Sequence, residues 1–154
     1  MVATVGHVGI VVDDIDIIVA FLESAFGLRL RHRFRRSGAF PAGVTGIAGV
    51  DMEVAIVGSD GQPHVLELLK YHSHPAPPVQ QPSNRPGANH VMFEVDDAAA
   101  THAAVIAAGG RPFSQPLLAP NGAKSVFYGH DPERGIFEVI QVLDPDNAYP
   151  SSAD

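Results

Sequence analysis

Apolar and polar positions along the chain switch between a period of two and a period near 3.6, and the switches occur in the same order twice. Val5 to Val12 is a short, apolar, β-branched run that predicts a buried strand. Strand alternation puts His7, Gly9 and Val11 on one face and Val8, Ile10 and Val12 on the other. Asp13 or Asp14 can cap a helix by accepting a backbone N–H. Ile15, Ile18, Val19, Leu22 and Phe26 then recur at helical spacing, which predicts a helix over Ile15 to Phe26 with Gly27 as its stop. Leu28 to Arg36 alternates again, with Arg29, Arg31, Arg33 and Arg35 on one face and Leu30, His32 and Phe34 on the other. Ser37 to Gly49 is glycine-rich and reads as a loop, with Phe40 and Ile47 as candidate substrate contacts. Asp51 to Gly58 and His64 to Tyr71 read as strands joined by the turn Ser59-Asp60-Gly61-Gln62.

The segment 72–87 is rich in Pro, Gln, Ser and Asn and reads as a linker. After it the order returns. A strand is expected from Ala88 to Val95, a helix from Ala98 to Ala108 with Gly109-Gly110 as its stop, and a short strand over Arg111 to Leu117. Two more strands follow, Lys124 to Gly129 and Ile136 to Leu143, around a turn at His130 to Gly135. The repetition extends to particular residues. Gly6-His7-Val8-Gly9-Ile10-Val11-Val12-Asp13-Asp14 is answered 83 positions later by Asn89-His90-Val91-Met92-Phe93-Glu94-Val95-Asp96-Asp97. Such a repeat implies two copies of one structural unit. The expected fold class is therefore α+β, built from two tandem βαβββ units. Residues 1–71 form the first unit, 72–87 the linker, 88–143 the second unit and 144–154 a frayed tail.

Composition narrows the function. The formal charge of −7 over 154 residues argues against nucleic acid, whose phosphates need a basic field. The absence of cysteine removes disulfides, thiolate metal ligands and a cysteine nucleophile. No leader and no apolar run of membrane length is evident, so a cytoplasmic protein without a membrane partner is expected.

The eight histidines are the residues to sort. His7 and His90 occupy equivalent points of the repeat. The last strand of each unit carries a glutamate between apolar neighbours: Glu67 in Val65-Leu66-Glu67-Leu68-Leu69 and Glu138 in Ile136-Phe137-Glu138-Val139-Ile140. A buried carboxylate so placed must be neutral, paired or bound to a cation. A lone strand histidine is usually structural and a lone strand glutamate usually wet. Four such residues at repeat-equivalent positions point instead to a shared site. If the units face each other across a pseudo-two-fold axis, His7, Glu67, His90 and Glu138 form a mixed N/O set. Such a set suits zinc, nickel, manganese or ferrous iron and is too nitrogen-rich for calcium. Glu94 shares His90's face and reads as solvent-facing or supporting. His72 and His74 form a His-x-His pair within the proline-rich linker. His64 alternates away from Glu67, and His32, His102 and His130 have no evident partners.

The paired βαβββ units, the first-strand histidines His7 and His90 and the last-strand glutamates Glu67 and Glu138 resemble the vicinal oxygen chelate, or glyoxalase/bleomycin-resistance, superfamily. The resemblance spans about Val5 to Leu143. It implies an eight-stranded mixed sheet shaped as a cup with helices outside, closing within one chain or between the two chains of a homodimer. The four residues are similar to the ligand set of bacterial glyoxalase I. Methylmalonyl-CoA epimerases are similar but usually carry glutamine at the position of Glu67. One divalent metal ion (Zn, Ni, Co, Mn or Fe) is thereby implied, with a small-molecule substrate that presents two vicinal oxygens. The reaction expected is proton abstraction next to the chelated carbonyl, in a lyase or isomerase. By analogy Glu138 is the first choice of base, with Glu67 serving the opposite face of the carbon. Extradiol dioxygenases of the superfamily use three ligands, matching His7, His90 and Glu138, and antibiotic-sequestering members lack the ligands. A ring-cleaving dioxygenase and an antibiotic-binding protein are the alternatives. The arginine strand is a candidate for holding an anionic portion of a substrate, or else a solvated face.

Overall fold

The structure, a computed structural model, describes residues 3, 5–62, 65–77 and 79–149, with Val65 described by its backbone alone. His64, set aside from the site on its alternation, lies outside the described residues. Contacts divide the chain into two compact units. One comprises Met1–Glu23 with Gly27–Pro78, the other Ser24–Phe26 with Val79–Asp154.

The first unit contains β1 (His7–Val11), α1 (Ile15–Phe26, whose last turn belongs by contact to the second unit), β2 (Arg29–Ser37), α2 (Ala39–Thr45), β3 (Asp51–Gly58) and β4 (Val65–Tyr71). Its sheet runs β1-β4-β3-β2, with β1 parallel to β4 and the other pairs antiparallel. The second unit contains β5 (His90–Glu94), α3 (Ala98–Ala107), β6 (Arg111–Pro112), β7 (Leu117–Leu118), β8 (Lys124–His130) and β9 (Ile136–Val142). There β5 is parallel to β9, and β8 pairs with β9, β6 and β7 antiparallel. The chain is thus α+β, with two units of related order: the first is βαβββ with α2 added, and the second carries, among the described residues, five strands where four were expected. Among the described residues its nine strands lie in two mixed sheets, of four and five strands. None of the helices found there is long and apolar enough to cross a membrane.

Helix α1 follows its sequence pattern closely. Ile15, Ile18, Val19 and Leu22 are buried, joined by Phe21 and Ala25, while Ile17 on the opposite side is exposed. Asp14 is the cap, accepting from the backbone N–H groups of Asp16 (2.9 Å) and Ile17 (3.2 Å). Gly27 ends the helix in the left-handed region at φ 67°, where a side chain would be strained. Asp97 repeats the cap on α3 by accepting from Ala100 N–H at 2.9 Å, and Gln141 supports the same turn by accepting from Ala98 N–H. Asp14→Ala should therefore cost about 1 kcal/mol of stability in urea unfolding, and Asp14→Asn should restore nearly all of it.

Several sequence expectations need correction. The first strand, expected to be buried, is largely exposed in β1, with Val8 and Val11 44% and 68% accessible. The stretch Ser37 to Gly49 is not all loop: Ala39–Thr45 forms α2, closed by the αL residue Gly46. Its glycines and Pro41 masked a helix whose proline sits early enough to lose no interior hydrogen bond. Phe40 projects from it, 79% exposed. The strand expected over Arg111 to Leu117 is broken into β6 and β7. Arg111 pairs with His130 and Leu117 with Val126, so Phe113-Ser114-Gln115-Pro116 carries two residues more than the partner strand can match. The tail, expected to fray from 144, is docked as far as residue 149. Leu143 and Asp144 donate to Ala123 O, Asn121 Nδ2 donates to Asn147 O at 2.9 Å, and Ala148 is buried.

Candidate functional site

Each unit builds one histidine–glutamate pair by the same register. In the first, Gly9 lies opposite Glu67 on parallel neighbours, so His7, two residues earlier, shares Glu67's face and reaches it diagonally. His7 Nε2 stands 3.3 Å from Glu67 Oε2. In the second, Met92 lies opposite Glu138, and His90 Nε2 stands 3.1 Å from Glu138 Oε2. The imidazoles are half exposed, with side chains 54% and 42% accessible, whereas the carboxylates are more covered, at 25% and 16%. Among the described residues no group of three or more His, Cys, Asp or Glu is placed to hold a metal ion. The four expected residues thus come together as two pairs, each inside its own unit.

The pairs differ in a third neighbour. Tyr128 on β8 lies directly opposite Glu138, and its hydroxyl is 3.4 Å from His90 Nε2. Its ring meets His90 edge to face, with centroids 5.1 Å apart. Burial raises the Tyr128 phenol above its ordinary value, and a hydrogen bond to Glu138 and that carboxylate's charge push the same way. The phenol stays a proton donor at neutral pH. The corresponding position in the first unit, opposite Glu67, is Ile56. Tyr128 is the residue that sequence reasoning missed. Its signal was the β8–β9 hairpin, whose turn sets Tyr128 across from Glu138.

The remaining candidates have other tasks. A bulge between Leu30 and His32 breaks the alternation of β2, so the four arginines do not form one even face. Arg31 donates to Gln62 O at 3.2 and 3.3 Å and to Ser59 O, tying down the β3–β4 turn. Arg33 pairs with Asp16 and, at 2.6 Å, with Glu53, while Arg35 Nε donates to Asp51 at 2.7 Å. These hydrogen bonds hold the Asp16, Glu53 and Asp51 carboxyls below their usual values. His72 Nε2 lies 3.4 Å from Glu53, giving it a partner outside any His-x-His site. His102 is buried against Phe127, and His130 is buried between Gln80 and Phe113. Glu94 accepts from the Tyr149 hydroxyl at 3.4 Å.

The donor chemistry of each pair suits a divalent cation. Two neighbouring ligands of an octahedral ion, each bound at about 2.1 Å, stand about 3 Å apart. The Nε2···Oε2 separations of 3.3 and 3.1 Å are close to that spacing. The same distances also suit a plain ion pair, which binding measurements separate from a metal site.

Residues 4–148 match the model of the Glyoxalase/Bleomycin resistance protein/Dioxygenase superfamily, and the chain belongs to that superfamily. Among solved structures it is similar to a glyoxalase family protein from Bacillus cereus, with a TM-score of 0.85 and 23% identity over 93% of this chain and 96% of that one. Glyoxalase I from Zea mays is similar with a TM-score of 0.66 and 19% identity, over 90% of this chain but 44% of that longer one. A fosfomycin resistance protein from Listeria monocytogenes, solved as a mutant with Mn(II) and 1S,2S-dihydroxypropylphosphonic acid, gives a TM-score of 0.56 and 15% identity over 93% and 95%. At these identities the likeness speaks to the fold. No curated protein matches the chain.

Proposed function

We propose that the chain is a divalent-metal-dependent lyase or isomerase, acting as a homodimer, that moves a proton next to a carbonyl whose substrate carries a vicinal oxygen. The observation that carries this reading is the duplicated pair, His7 with Glu67 and His90 with Glu138, built by one register in both units. Each pair is taken to supply half of one ion's protein ligands. The solved relative with Mn(II) supports a divalent cation on this fold. Such an ion, when bound, supplies Lewis acidity to the two substrate oxygens and makes the neighbouring C–H more acidic.

The chain's own residues supply the rest. Glu138 is the proposed base: its Oε takes the α-proton and returns it to the product. Tyr128, kept protonated, donates toward the Glu138 carboxylate and orients it. Glu67 faces Ile56 where Glu138 faces Tyr128, so its half carries no hydroxyl from that strand. That asymmetry gives Glu138 the working role and leaves Glu67 as ligand and as the secondary base. His7 and His90 act as imidazole ligands through Nε2.

The test is metal content. Protein purified without chelator and dialysed against Zn, Ni, Co, Mn or Fe salts in turn should retain one divalent ion per set of four ligands by elemental analysis. Retention of none after each of these loadings would remove the proposal.

A further inference from the structure

A cavity of about 250 Å³ opens in the second unit beside the His90–Glu138–Tyr128 cluster, walled by Ser83, Asn84, Ala88, Asn89, His90, Tyr128 and Ile136. Its outer wall comes from the segment read in sequence as a mere linker. That wall is pre-shaped: Arg85 N–H donates to Pro82 O at 3.0 Å and Ala88 N–H to Arg85 O at 2.9 Å, while Asn89 Nδ2 reaches Gly87 O at 3.4 Å. A wall already ordered costs a ligand less to bind.

The wall is polar but carries no lysine or arginine. Asn84, Asn89 and Ser83 line the cavity with His90 and Tyr128, and Ala88 and Ile136 are its apolar members. The neighbouring arginine, Arg85, is exposed and outside the wall. In the metal-free protein an anion placed there would find no lysine or arginine, and the Glu138 carboxylate, paired with the cavity-lining His90, lies close by. A group that both donates and accepts hydrogen bonds would instead match each carboxamide on both counts. The cavity's volume of about 250 Å³ suits a small group or one end of a larger ligand.

We propose that this cavity receives the non-reacting end of the substrate, and that this end is a small uncharged carboxamide or polyol group. Asn84 and Asn89 are its specificity-determining residues. The assignment of a reacting end rests on the lyase/isomerase reading above; the cavity's preference for a neutral group does not.

The experiment uses ¹⁵N-labelled full-length protein titrated with glycolamide and with glycolate, each without metal and after loading with Zn²⁺. The zinc-free arm isolates the cavity from chelation. There the side-chain amide signals of Asn84 and Asn89 should shift and saturate with glycolamide, which binds about tenfold more tightly than glycolate. Asn84→Leu and Asn89→Leu should each weaken glycolamide about fivefold, and the milder Asn84→Ser should weaken it in the same direction. The absence of shifts at these residues, or glycolate binding as tightly as glycolamide without zinc, would overturn the assignment. Failure to load zinc sinks the proposed reaction, and the zinc-free titration still decides whether the cavity prefers a neutral group.

Discussion

His90→Ala is expected to lose the divalent ion, with affinity falling by at least about a hundredfold. Changes to groups that merely support metal ligands already cost about 10–100-fold, and a direct ligand should cost no less. The side chain is 42% accessible and lies at the β5 edge of its sheet, so its removal leaves little cavity and the fold should persist. The measurement is elemental analysis after equilibrium dialysis, with circular dichroism as the check on folding. His7→Ala is the informative companion. If the two pairs share one ion, each variant should lose it to a similar extent. A His7→Ala protein that keeps its full complement while His90→Ala loses it would assign the ion to the second unit alone. Retention by both would reduce the pairs to ordinary ion pairs.

What could be read from the chain depended on periodicity and on duplication. The duplicated segments around His7 and His90 established the two units, and the boundaries of α1 and β3 followed from an amphipathic stripe and a hairpin turn. The sequence marked His7, Glu67, His90 and Glu138 as one set by their repeat positions, whereas their grouping into two pairs depends on the parallel pairing of β1 with β4 and of β5 with β9. Both residues of each pair sit on one face of adjacent strands, and alternation preserves that relation whatever the twist. Features depending on a local break in alternation were not legible. The bulge at Leu30/His32 turned Arg31 toward the Ser59–Gln62 turn, and the two surplus residues before Leu117 split a strand. Helix α2 was hidden because glycine and proline lower propensity, whereas capping by glycines at both ends permits a short helix. Tyr128 was missed for a different reason: a tyrosine within a hydrophobic strand looks like core until its cross-strand partner is known to be a carboxylate.

That partner relation leads to the second large effect. Glu138→Gln should preserve the fold and abolish proton transfer, lowering kcat by about 10²–10⁴-fold on any α-hydroxycarbonyl substrate the native protein turns over. The amide keeps the shape and one oxygen acceptor but cannot take up a proton. Because the change also removes a ligand charge, metal content must be restored by saturating dialysis before rates are compared. Tyr128→Phe separates the two roles. It removes a donor without touching the carboxylate, so a positioning role predicts a smaller loss in kcat and an altered pH–rate profile, with metal content unchanged. Exchange of the substrate α-proton with deuterated solvent gives a readout that does not depend on the product formed. The native protein should incorporate deuterium, Tyr128→Phe should do so more slowly, and metal-loaded Glu138→Gln should not exceed the uncatalysed rate. Native-like exchange by the metal-loaded Glu138→Gln protein would transfer the base to another group. Glu67 is then the residue to replace, since it is the second carboxylate of the duplicated set.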